Sequence, residues 1–282
     1  MKRFFKLCFC LLILLLSFQS CSTSQVGGSE AGNPEPVQIA LLAYSSSVNA
    51  ATSLKTSSLS KFLTSASLQV GSLQIDRAEI VLGELRIRPF SLCDVEESLE
   101  EEFRFRGPYI VDLLETPPVS LMGVEIISGL YCKLEMRLEK LETSSAGIIF
   151  PLGNSVFIEG LRSDDTPFQV LLETDEEFEL QNESTGFEIN ADLSLDHFFI
   201  AFDLDQWFAG VDLSDPGVEV SVDGQGDPII LINQDHNTEL REVIVENLKL
   251  SADFFEDQDD DGQLDQDEQD PEDSLAEGSL VI

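Results

Sequence analysis

Beyond residue 36 the apolar and polar positions alternate mainly with a period of two, the period of a strand with one buried face. In residues 130–138, Leu130, Cys132, Leu134, Met136 and Leu138 fall on one face, while Tyr131, Lys133, Glu135, Arg137 and Glu139 fall on the other. This is the mark of an antiparallel strand with one wet side. Residues 73–88 repeat the pattern through Ala78, Ile80 and Leu82, and Gly83 admits a bulge before Leu85 and Ile87 resume it. Shorter runs of the same kind cover 37–44, 109–114, 155–159, 167–172, 177–180, 186–195, 199–204, 218–222 and 228–232, giving about eleven strands. Asp223-Gly224 is a hairpin signal, and Gly107-Pro108, Pro117-Pro118 and Asp215-Pro216-Gly217 break the runs. Many short strands with such turns predict a mainly β chain, an antiparallel β-sandwich over residues 37–235. Residues 51–67 fit either a short helix or a Ser/Thr-rich loop. Near the end the period changes to 3.6. Asn237 or Thr238 caps a helix expected to run to about residue 255, with Leu240, Val243, Ile244 and Leu248 on its apolar side. Residues 236–282 thus read as a helix followed by an acidic segment.

Charge and the N-terminal pattern place this β body in the cell. Against 16 Lys and Arg stand 53 Asp and Glu, a formal charge of -37, which repels a phosphate backbone and excludes nucleic acid as a partner. A hydrophobic content of 43% with 19 Phe supports a folded core rather than a disordered chain. Residues 1–20 carry Lys2, Arg3 and Lys6 ahead of an apolar run from Leu7 to Leu16, the layout of a secretory signal peptide. The run is too short to span a bilayer, which takes about 20 residues. Its ending, Phe18-Gln19-Ser20-Cys21, resembles the bacterial lipobox, with Phe18 where that motif prefers Leu. The resemblance implies that Cys21 is acylated and becomes the anchored N-terminus; ordinary cleavage nearby would leave it a spare thiol. Several acyl chains hold a domain stably on a membrane. Ser22, in place of Asp, implies the outer membrane, and residues 21–36, rich in Ser, Gly and Pro, form a flexible tether.

Of five Cys, Cys8 and Cys10 lie in the signal peptide and Cys21 is the one that the lipobox resemblance assigns to the lipid, which leaves Cys93 and Cys132. In an oxidising envelope such a pair predicts a disulfide closing a loop of about 39 residues, against the alternative of two buried thiols.

The sharpest motif is DQDDDGQLDQDE at residues 257–268, which resembles the twelve-residue EF-hand calcium loop. Calcium takes six to eight oxygen ligands, and the loop supplies them at fixed places. The resemblance assigns side-chain ligands to Asp257, Asp259 and Asp261, a backbone carbonyl to Gln263, a direct or water-mediated contact to Asp265 and a bidentate carboxylate to Glu268. Gly262 makes the sharp turn and Leu264 occupies the apolar place. Pro271 disfavours an exit helix and no second loop exists, so the motif is a solitary one, with calcium as a structural cofactor. The competing reading is a solvated acidic tail.

Recognisable catalytic motifs are absent: no G-x-S-x-G, no H-E-x-x-H, no P-loop and no dinucleotide fingerprint. The chain has two His, of which His197 falls in an expected strand and His236 in a polar turn. Trp207 and Phe208 beside Asp203 and Asp205 are read as core residues, with sugar stacking as the alternative. The run Gly107-Pro108-Tyr109-Ile110-Val111-Asp112-Leu113-Leu114 followed by Gly129-Leu130-Tyr131 resembles the sandwich domains of uncharacterised bacterial envelope lipoproteins. The expectation is therefore a lipid-anchored, non-catalytic binding or adhesion module whose partner is a glycan, a peptide or an envelope protein. The alternatives are an envelope hydrolase with carboxylate chemistry and a purely structural protein.

Overall fold

Strand β3, Leu73–Pro89, organises the molecule, because its 17 residues are long enough to pair with four other strands. Along one edge it meets β2 (Leu68–Val70) and β4 (Phe103–Asp112). Along the other it meets first β7 (Val156–Arg162) and then β6 (Gly129–Leu138). The change of partner coincides with a register shift between Leu82 and Glu84, at the glycine where the alternation predicts a bulge. A Cβ on Gly83 would lie 2.7 Å from that of Glu139, so the bend has no room for a side chain.

The computed structural model describes residues 35–45, 67–93, 103–115, 118–126, 128–143, 149–182, 185–189, 198–256, 264, 269 and 274–279. The remaining strands are β1 (Glu35–Tyr44), β5 (Val119–Ile126), β8 (Pro167–Leu172), β9 (Glu177–Gln181), β10 (Phe187–Ile189), β11 (Phe198–Asp203), β12 (Ser221–Val222), β13 (Pro228–Ile232), β14 (Ala252–Glu256) and β15 (Ala276–Ser279). Among the described residues the α-helices are α1 (Leu204–Trp207) and α2 (Thr238–Leu248). It is mainly β, as the periodicity predicts, but the strands join one curled sheet in the order β12-β13-β8-β7-β3-β6-β9-β15-β14-β11-β1-β5. Two pairs, β1 with β11 and β13 with β8, are parallel, which corrects the purely antiparallel expectation. The curl is visible at Leu113. Its carbonyl accepts from Ala43 N and its N–H donates to Ala78 O, both at 2.8 Å, although β1 and β3 stand far apart in the strand order.

The main core fills the curl, with Ile75, Ile80, Leu134, Met136, Val170, Phe202 and Phe254 fully or almost fully buried. A smaller cluster of Ala40, Leu42, Tyr44, Phe199, Ala201 and Phe255 lies on the opposite face of β1, β11 and β14. Strand β11 is therefore buried on both sides, and its unbroken Phe-Phe-Ile-Ala-Phe run is what two apolar faces require.

Three local expectations are corrected. In β6 the alternation holds from Cys132 to Leu138, but Leu130 is exposed and Tyr131 is buried against Phe187, because the register shifts between Arg88 and Pro89 and reverses the faces. Glu135, placed on the wet face, is buried beneath Arg86, Arg88 and Lys133, which all lie within ion-pair distance of its carboxylate. Helix α2 stops at Leu248 rather than near residue 255. A turn carries the chain into β14, whose pairing of Phe255 with Phe199 and Phe254 with Ile200 outweighs helical continuation. The segment 236–282 is consequently no appendage, since β14 and β15 stand inside the strand order.

Candidate functional site

Strand β14 leads into the acidic loop and β15 returns from it, with Asp253 opposite Glu277 and Phe254 opposite Ala276 in antiparallel register. The loop is the connection of a β-hairpin, and the element entering it is a strand, not the helix that an EF-hand would supply. All six expected calcium ligands, Asp257, Asp259, Asp261, Gln263, Asp265 and Glu268, lie outside the described residues. Of the twelve loop positions the structure describes Leu264, which packs against the Tyr44–Phe199–Phe255 cluster. Just beyond the loop, Gln269 Nε2 donates to the Leu264 carbonyl at 2.8 Å. Leu264 is thus the described residue of the motif that touches the apolar face of the sheet. The donor chemistry, all hard oxygen, suits calcium. Among the described residues no group of three His, Cys, Asp or Glu is placed to hold a metal ion.

At the foot of this hairpin the parallel ends of β1 and β11 bring together a cluster that the sequence does not advertise. Tyr44 is paired in register with Asp203, and its hydroxyl donates to Asp253 Oδ2 at 3.3 Å. Ser45 donates to Asp205 Oδ2 at 2.5 Å, and the Asp203 carboxylate accepts from Asp205 N at 2.9 Å, capping α1. The ring of Phe255 meets Tyr44 edge-on at 6.4 Å. Burial pushes the Asp253 carboxyl up to about 6, the nearby charges of Glu277 and Asp203 add to the rise, and the Tyr44 hydrogen bond opposes it. Burial, with the charges of Asp253, Asp203 and Asp205, holds the Tyr44 phenol above its ordinary range, so it remains a donor. Asp253 therefore changes charge near pH 6. No sequence motif marks it, because the parallel pairing that creates the cluster joins residues that are remote in the chain.

A concavity of about 530 Å³ opens at the start of α2 between the 210–219 and 235–240 loops. Asp212, Asp215, Glu219, Asp235 and Glu239 line it. Asn237, expected as a cap, adopts a left-handed conformation at φ 50° and makes no cap bond. Its side chain instead accepts from Glu219 N at 2.8 Å and donates to Leu231 O at 2.7 Å, fixing the rim. Arg162 donates to Leu213 O at 2.6 Å, and its paired hydrogen bonds hold the Asp164 carboxyl well below the usual range.

The other expected residues fall as follows. Cys93 and Cys132 are joined by a disulfide, with Cα atoms 6.4 Å apart, tying the turn after β3 to β6. Cys21 and His197 lie outside the described residues. His236 Nδ1 stands 3.1 Å from Glu219 Oε1, a surface contact. Trp207 and Phe208 are buried in the core, not offered to a sugar. Among the described residues no helix is long and apolar enough to cross a membrane. No family model, curated protein or solved structure matches the chain.

Proposed function

We propose that the chain is a lipid-anchored bacterial envelope protein, held at Cys21 in the outer membrane, whose β domain is a non-catalytic binding module stabilised by calcium. The observation that carries this reading is the seating of Leu264: the calcium-type loop joins two strands of the sheet and docks its apolar residue on their face. An acidic tail left in solvent has no reason to bury that residue. Calcium held by Asp257, Asp259, Asp261, Gln263, Asp265 and Glu268 neutralises carboxylates that otherwise repel one another, and so fixes β15 in place. The Cys93–Cys132 disulfide suits an exported protein. The sandwich remains our description of how the two flanks of the curled sheet enclose the core.

The partner that fits best is a glycan or peptide at the recess beside α2, whose volume of about 530 Å³ falls within the range of small-ligand sites. Its carboxylates accept hydrogen bonds from hydroxyl or amine groups. The hydrolase alternative draws on Asp253, a carboxyl that burial pushes up to about 6 beside a phenol donor. A glycan and peptide array, run in millimolar calcium and again in chelator, separates the two. The module reading expects calcium-dependent retention weakened at least tenfold by Asp215→Ala, with no turnover of chromogenic glycosides or esters. Turnover that disappears in Asp253→Asn decides for the hydrolase.

A further inference from the structure

Strand β15 occupies an unusual position in the sheet. It lies between β9 and β14, so it makes the link between the flank running from β12 to β9 and the flank running from β14 to β5. The link is short: three residues pair with β9, Glu277 with Gln181, Gly278 with Leu180 and Ser279 with Glu179, and two pair with β14. It is also closely fitted, since a Cβ on Gly278 would lie 2.9 Å from the carbonyl oxygen of Ala252. Glu277 stands directly across from Asp253, and like charges opposite one another in an antiparallel pair destabilise it.

The surroundings of Asp253 sharpen the conflict. Tyr44 reaches it from β1, Asp203 from the end of β11 and Glu277 from β15, while Asp205 of α1 acts on Tyr44 in turn. Among the described residues the charged groups that act on Asp253 and Tyr44 from outside the pair, Glu277, Asp203 and Asp205, are all acids. A single proton on Asp253 removes the like-charge contact without disturbing the backbone ladder on either side.

We propose that β15 is a proton-controlled clasp: protonation of Asp253 closes the β9–β15–β14 seam, and ionisation of Asp253 against Glu277, Asp203 and the sheet's apolar face loosens it. The sign follows from the direction of the shift. Closure favours the protonated acid, so the contribution is fully present below the ordinary carboxylate range and is lost as pH rises through about 6. Calcium and the proton act on the same strand through different groups, and chelator separates the two effects.

Hydrogen exchange of the full chain in detergent micelles, in chelator throughout, tests it. Protection factors for the peptide containing residues 276–279, corrected for intrinsic exchange, are compared at pH 4.5 and 7.5. If opening relieves about half of the Asp253 shift, protection is about tenfold lower at the higher pH. Asp253→Asn abolishes the step and keeps protection at its acid level. Glu277→Gln, a change at an exposed position, reduces the step. Tyr44→Phe removes the hydrogen bond that favours the ionised acid and moves the midpoint to higher pH. Equal protection at the two pH values in the wild-type chain overturns the proposal, as does an undiminished step in either Asp253→Asn or Glu277→Gln.

Discussion

Trp207→Ala lowers the unfolding free energy by about 3 to 5 kcal/mol, the range for truncating a fully buried large aromatic side chain. Trp207 has 0% exposure, packs edge-on against Phe202 with ring centroids 5.6 Å apart, and donates its indole N–H to Ser251 Oγ. Ser251 in turn donates to Leu248 O at 2.8 Å, and Asn247 Nδ2 donates to the Trp207 carbonyl at 3.2 Å. The side chain therefore locks α1 to the turn between α2 and β14, the turn that launches the strand before the acidic loop. Its removal leaves both a cavity and a buried hydroxyl without its donor. Urea unfolding followed by circular dichroism measures the loss. Trp207→Phe, which keeps a ring but not the N–H, is expected to fall between the two. A loss below about 1 kcal/mol for the Ala variant would contradict this packing.

Replacing Cys93 and Cys132 together by Ala costs about 3 to 4 kcal/mol, from the chain entropy that a closed loop of 39 residues withholds from the unfolded state. The disulfide joins the chain just after β3 to β6, so it pins the far end of the strand on which the sheet is organised. The loss appears in the denaturant midpoint, and treating the wild-type chain with reductant reproduces it. Identical midpoints for the oxidised, reduced and double-Ala chains would show that the pairing contributes nothing.

Local chemistry made the short alternating strands legible. Residues 167–172 and 228–232 come out as read, the first as an alternation and the second as a short continuous apolar run, each between turn residues. Long-range pairing was not legible. That β1 lies parallel to β11 depends on two segments remote in sequence, and no local signal carries it. The same pairing creates the Tyr44–Asp253 cluster, which is why the candidate site was invisible among 53 acids. At Leu130 and Tyr131 a single register shift reversed the faces, an event the alternation cannot foretell. The alternation assigns no strand at β2, β5, β14 or β15, at β14 because its apolar residues also continue the stripe of α2. The calcium motif, by contrast, rests wholly on residue type and spacing, and the structure adds its place between two paired strands.

Calcium binding by the loop is tested by the melting temperature of the Cys21→Ala chain after chelation, followed through its single Trp as calcium is raised to 10 mM, with magnesium in parallel. With a dissociation constant of about 10⁻⁴ to 10⁻³ M, as in extracellular modules, mass action adds about 1.4 to 2.7 kcal/mol at that concentration. The expected result is a rise specific to calcium that vanishes in the Asp257→Ala, Glu268→Ala chain. Melting curves that coincide in calcium, magnesium and chelator would contradict it, and would leave the loop a solvated acidic connection between β14 and β15.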